Sequence, residues 1–258
     1  MRQSINTFSI RENIRLFSIL LLFVLSQKYT SLRYLAISWP IIIIVLGNLK
    51  RISREIPMLY FIRMTLYFAI YLLPLLIDRN VIMISKRDGF SIIIGCAIAV
   101  IVNCLRFMVI KTNVKVMLSK ELIVDSYKDT FFTLVVRIYN LIGAAMCEEL
   151  LFRKYILSID VPKLISLSIS VLYFVFSHYI LIWGDYFRTN DYYNQFLFGM
   201  ISALLFLWTR SVIPCLLLHL LYNSVEITRN IKVIDRHYIH PERYKNCAEA
   251  DLFRGKEL

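Results

Sequence analysis

Apolar runs of membrane-spanning length alternate with short charged stretches from one end of the chain to the other. Read with a window of about 19 residues, the pattern predicts eight spans, near 16–26, 34–48, 57–77, 89–110, 129–152, 163–183, 195–210 and 212–228. The first is short for a bilayer, and only Arg210-Ser211 separates the last two. Pro57, Pro162 and Pro214 each fall at the start of a run, where the missing N–H costs a helix nothing. These runs imply one all-α polytopic bundle, divided into residues 1–128 (N-terminal helices and a loop), 129–228 (core helices) and 229–258 (a basic polar tail expected to be partly disordered).

Residues 111–128 mix charged and apolar positions and are read as an interfacial amphipathic helix or an ordinary loop. With seven glycines, and no internal repeat, low-complexity tract or phosphate loop, flexible linkers are not expected. Basic residues fix the expected orientation. For eight spans, Arg2, Arg11 and Arg15, then Lys50, Arg51 and Arg54, then Lys111, Lys115, Lys120 and Lys128 fall on one side, with the Arg- and Lys-rich tail. Arg79, Lys86 and Arg87 oppose them more weakly, so both termini are expected to be cytoplasmic.

Composition strengthens the membrane reading: 58% of the 258 residues are hydrophobic and 19% charged, and mean hydropathy is +0.62. The formal net charge of +12 does not imply nucleic acid. Its 30 Lys and Arg residues are spread between apolar runs, where they set topology and meet anionic headgroups, and form no single stripe. Five scattered cysteines (Cys96, Cys104, Cys147, Cys215, Cys247) without a C-x-x-C pair indicate packing, not a disulfide frame or thiolate zinc site. Leu16 to Leu25 follows three arginines as a signal peptide would. Because no small-x-small cleavage site follows, it is read as a retained helix.

Charge inside the membrane is where chemistry enters. The run Phe131 to Phe152 carries Glu148 and Glu149, with Arg153 just beyond. Each such group costs at least about 2.5–3.5 kcal/mol on insertion scales. Glu149 and Arg153 stand four residues apart and share a helix face. Glu148 points about 100° away, so Glu149 is expected to pair with Arg153 while Glu148 faces the bundle. Two of the four histidines also lie in apolar runs: His178, four residues after Phe174, and His219, four before Asn223. Three helices would then offer a carboxylate to activate water, an imidazole to hold it, and donors for an oxyanion.

Together the three motifs, Glu148-Glu149-x-x-x-Arg153, Phe174-x-x-x-His178 and His219-x-x-x-Asn223, resemble those of the type II CAAX prenyl endopeptidase and bacteriocin-processing (CPBP, Abi) family. The resemblance covers roughly residues 129–228, and the first four spans carry no matching motif. It implies a helical intramembrane endopeptidase acting on a membrane-associated protein or peptide, prenylated or unprenylated. Carried onto this chain, it makes Glu148 and His178 the water-activating pair, His219 and Asn223 the oxyanion site, and Glu149, Arg153 and Phe174 supporting residues. A further family motif matches loosely at Phe198-Gly199 and is left outside the expected site.

Glu148, His178 and His219 also form a set that zinc accepts with one position open for water. No H-E-x-x-H fixes such a site on one helix, and the metal-free reading, with no cofactor, is preferred. Either histidine alone would be an interhelical hydrogen-bonding residue. Asn103, Arg106, Arg137 and Asn140 are read as structural, with Arg137 a weak candidate for support because it lies eleven residues before Glu148. Most Tyr and Phe are expected at lipid and interface, with Tyr173, Phe174, Phe176 and Tyr222 as candidate lining for an apolar substrate group. Two other function classes compete. A non-catalytic scaffold or immunity-type protein would keep its phenotype after Glu148→Ala or His178→Ala, and a proton-relay transporter would show broken helices and repeat symmetry.

Overall fold

The computed structural model describes residues 2–46, 56–77, 89–119, 129–178 and 189–241, and every regular element among them is helical. In chain order these are α1 (Arg2–Lys28), α2 (Arg33–Pro40), α3 (Pro57–Ile77), α4 (Gly89–Met117), α5 (Phe131–Glu149), α6 (Lys163–Ser177), α7 (Thr189–Thr209) and α8 (Ile213–Ile234). Three continue as wider π-type turns, through Ile41–Leu46 after α2, Leu150–Tyr155 after α5 and Asp235–Ile239 after α8.

Local chemistry accounts for the helix ends. Thr130 caps α5, its Oγ1 accepting from the Thr133 N–H at 3.2 Å. Pro162 precedes α6 and Pro214 lies in the first turn of α8. Between α7 and α8, Arg210 takes a left-handed φ of 54°. That conformation ends a helix and is costly for a residue with a Cβ. The Thr209 hydroxyl secures the turn by accepting from the Ser211 N–H at 3.3 Å. The short Arg210-Ser211 break is therefore a genuine corner between two helices.

Eight helices coincide with the eight expected runs, but fewer satisfy both length and apolarity. Among the described residues, Pro57–Leu75, Gly89–Met117 and Phe131–Tyr155 are long and apolar enough to cross a membrane, while Thr30–Ile43 and Lys163–Ser177 are apolar but shorter. Polar side chains explain part of the shortfall. α8 carries His219, Asn223, Glu226, Arg229 and Asn230, which lower its apolarity. The helix also continues past residue 228, the expected end of the last span, to Ile234. α4 likewise runs on to Met117, so the expected interfacial segment begins as a helical continuation, while residues 120–128 and 242–258 lie outside the described residues.

Packing follows from which faces carry large side chains. α8 lies against α4 and α5, α6 against α7, and α3 against α5. Ile93, Ile101, Leu105, Met108 and Val109 leave one side of α4 exposed, as a helix facing lipid requires. α1 does the same with Leu16, Leu20, Phe23 and Val24, and buries Ser18, Leu22 and Ser26 opposite. At Gly143 a Cβ would collide with the Phe68 ring, so the α3–α5 seam depends on glycine there.

Some of the aromatics lie in the core and not at the lipid boundary. Tyr67, Phe68, Tyr71, Phe152, Tyr155, Tyr173, Phe174, Phe198 and Phe206 are all buried. Around a polar site, large rings give edge-to-face contact area that short aliphatic side chains do not supply.

Candidate active site

Glu148 and Glu149 end α5, and both are buried, at 1% and 0% exposure. Their one-residue offset sends them to different partners. Glu149 Oε2 lies 3.3 Å from Arg153 Nε, the i,i+4 pair expected from spacing. The wide turn Leu150–Tyr155 begins immediately after Glu149, and the Ile156 N–H reaches back five residues to the Leu151 carbonyl at 3.0 Å. π-turns of this kind recur at functional sites.

Arg153, fully buried, is held from three helices. Its Nε donates to Ser202 Oγ of α7 at 3.0 Å and its Nη1 to Ser170 Oγ of α6 at 3.1 Å. The guanidinium carbon also lies 4.9 Å from the centre of the Phe174 ring. Ser202 in turn donates to Glu149 Oε2 at 2.6 Å, bridging acid and base. His219 joins the same group, with Nδ1 2.8 Å from Glu149 Oε1. Both oxygens of Glu149 are therefore occupied, and His219 is tied to Glu149 and not to Glu148.

Glu148 is left the freer of the two. Its Oε1 accepts from the Tyr67 hydroxyl of α3 at 3.2 Å, and its Oε2, although buried, has no hydrogen-bond partner among the described residues. His178 Nε2 lies 3.8 Å from that oxygen. The gap is too long for a direct hydrogen bond. The histidine's other nitrogen fixes its tautomer: Nδ1 lies 2.9 Å from the Phe174 carbonyl, which only accepts, so Nδ1 carries the hydrogen. In neutral imidazole Nε2 then presents a lone pair toward Glu148. The His178 side chain is 12% exposed, the most open of these groups.

A ring cluster forms the floor. Phe174 lies 4.6 Å from the His178 ring, 5.6 Å from Phe198, 5.7 Å from Phe152 and 6.0 Å from His219, measured between centroids. Phe198 meets His219 edge-on at 4.9 Å and Tyr222 at 5.0 Å. A Cβ on Gly199 would come within 3.2 Å of Phe174. Phe198 and Gly199, left outside the expected site, thus pack directly against two of its residues. Tyr173 and Phe176 pack on each other, and the Tyr173 ring faces Trp39 at 4.9 Å while its hydroxyl donates to the Ser18 carbonyl at 2.6 Å. Tyr173 therefore braces α6 against α1 and α2.

Asn223, expected beside His219, also contacts α5. Its Nδ2 donates to the Leu141 carbonyl of α5 at 3.1 Å, committing one of its two N–H groups to tying α8 to α5. Arg137 forms a two-bond pair with Asp129, at 2.6 and 2.9 Å, so its charge is satisfied at the opposite end of α5. Asn103 and Asn140 bond to the Leu218 carbonyl and the Tyr60 hydroxyl, and Arg106 lies against the ring and carbonyl of Tyr222. These four are structural. Tyr67, Ser170 and Ser202 carried no local signal, although Ser202 sits four residues after Phe198, on the same helix face.

Among the described residues no three His, Cys, Asp or Glu side chains gather as a metal-binding group.

No curated protein and no solved structure matches the chain. Residues 130–225 match the family described as Type II CAAX prenyl endopeptidase Rce1-like, a stretch that runs from the cap of α5 into α8. All three motifs and the ion-paired centre fall inside this stretch, which is similar to the Rce1-like family.

Proposed function

We propose that this chain is an integral membrane endopeptidase that hydrolyses a peptide bond of a membrane-associated protein or peptide, using water activated by Glu148 and His178. The observation that carries the reading is the buried, unpartnered Glu148 Oε2, 3.8 Å from Nε2 of the partly exposed His178. A water between them donates one hydrogen to each, leaving its lone pair free to attack a carbonyl. Glu148 takes the proton and returns it to the leaving nitrogen.

His219 serves the oxyanion through Nε2. Because Nδ1 already points at the Glu149 carboxylate, Nε2 carries a hydrogen only as imidazolium, whose charge Glu149 offsets. Glu149, Arg153 and Ser202 act by holding His219. The reaction needs no metal in this reading, and Asn223 contributes by fixing α8. Prenylated C-terminal peptides are the substrate class proposed from the family, and cytoplasmic termini would put the basic stretches beside anionic headgroups.

The test uses the purified chain in detergent with a quenched-fluorescent prenylated peptide. Glu148→Ala should abolish cleavage while the melting temperature stays near that of the parent. Retained turnover would sink the mechanism.

A further inference from the structure

Two tyrosines of α3, outside the stretch matched by the family, converge on the working carboxylate. Tyr67 and Tyr71 lie one helical turn apart and share a face. Their ring centres are 4.2 Å apart, and the residues are 3% and 0% exposed. Tyr67 holds Glu148 Oε1. The Tyr71 hydroxyl lies near Tyr67, Ser177 and Glu148, yet makes no hydrogen bond of good geometry among the described residues. A buried hydroxyl left unpaired is costly, and orphans of this kind call for an explanation.

The supply of donors gives one. Of the groups expected to stabilise an oxyanion, His219 spends Nδ1 on Glu149 and Asn223 spends an N–H on Leu141. We propose that Tyr71 is a further catalytic residue, donating its O–H to the oxyanion, and that Tyr67 is a positioning residue that holds Oε1 so that Oε2 faces the water. The proposal rests on the peptidase reading above.

In the step so completed, the water oxygen bonds to the peptide carbonyl carbon and gives one proton to Glu148. The carbonyl π pair moves onto oxygen, and Tyr71 and His219 hydrogen-bond to it without transferring a proton. Collapse re-forms C=O, breaks C–N, and sends the Glu148 proton to the leaving amine.

The experiment uses the full chain in detergent, a quenched farnesylated peptide, and the phosphinate analogue of that peptide as tetrahedral mimic. Tyr71→Phe should lower kcat about 100-fold, the scale of one oxyanion donor. KM should stay within about twofold, and affinity for the phosphinate should fall in step with kcat. Tyr67→Phe should lower kcat and displace its pH profile while phosphinate affinity is kept.

Full kcat in Tyr71→Phe, or a kcat loss without a matching loss of phosphinate affinity, overturns the Tyr71 role. An unchanged pH profile in Tyr67→Phe overturns the positioning role. If Tyr71→Phe does not fold, 3,5-difluorotyrosine at position 71 keeps the ring and alters the donor, and an unchanged kcat then counts against the proposal. Turnover retained in Glu148→Gln overturns both this inference and the reading beneath it. A dead Glu148→Gln beside a fully active Tyr71→Phe overturns the inference alone.

Discussion

Arg153→Met, read alone and together with Glu149→Gln, probes the buried ion pair at the centre of the bundle. Methionine keeps the length of the side chain but removes the contacts to Ser202, Ser170, Glu149 and the Phe174 ring. Glu149 is then a fully buried carboxylate beside His219 and Ser202, without its strongest counter-charge. Removing one partner of a buried pair costs about 3–5 kcal/mol, because the other charge stays buried and uncompensated. In a chain of this size that is a loss of roughly 6–20 °C in melting temperature. Replacing both partners by neutral groups is far less costly, so the double variant should recover at least about 2 kcal/mol relative to the sum of the single changes. Thermal unfolding in one detergent, run as a double-mutant cycle, measures the coupling. Strict additivity would refute the ion pair as the element that holds the centre together.

Further predictions concern its neighbours. Ser202→Ala removes the hydroxyl between Arg153 and Glu149 and should cost about 1–3 kcal/mol, with slower turnover because His219 loses its fixed partner. Parent-like melting and kcat would deny Ser202 that role. Phe174→Ala opens the floor beneath both histidines and should cost about 3–5 kcal/mol, whereas Phe174→Leu should cost markedly less. Equal losses would mean that ring contact is not the issue. Asn223→Ala should lower the melting temperature by releasing α8 from Leu141, and slow turnover at unchanged stability would return Asn223 to the oxyanion site. Exhaustive dialysis against a chelator should leave cleavage unchanged, and a loss restored by zinc alone would overturn the metal-free reading.

What spacing along one helix decides, the chain displayed openly. The divergence of Glu148 from Glu149 follows from 100° per residue, and the partnership of Glu149 with Arg153 from the i,i+4 rule. Proline positions marked α3, α6 and α8. Contacts between distant segments had no such signal. Tyr67 reaches Glu148 across 81 positions, and Ser202 reaches Glu149 across 53. A lone tyrosine or serine in an apolar run is unremarkable until packing places it. His219 was legible as a site residue, but its choice of Glu149 depended on how α8 lies against α5. Of the eight expected runs, three meet helices both long and apolar enough to cross a membrane among the described residues, and the polar side chains of α8 lower its apolar average.

The wide turn after Glu149 makes chain length itself informative. Closing five-residue rings in place of four stores one additional residue between the carboxylates and Tyr155. Deleting any single residue within Leu150–Phe152 would let the ladder close as an ordinary α-helix, with nearly every side-chain type retained. Arg153 would then meet a different face of the bundle, away from Ser170 and Ser202. Conservative substitutions in this stretch should be tolerated by volume, but a one-residue deletion should not be tolerated at all.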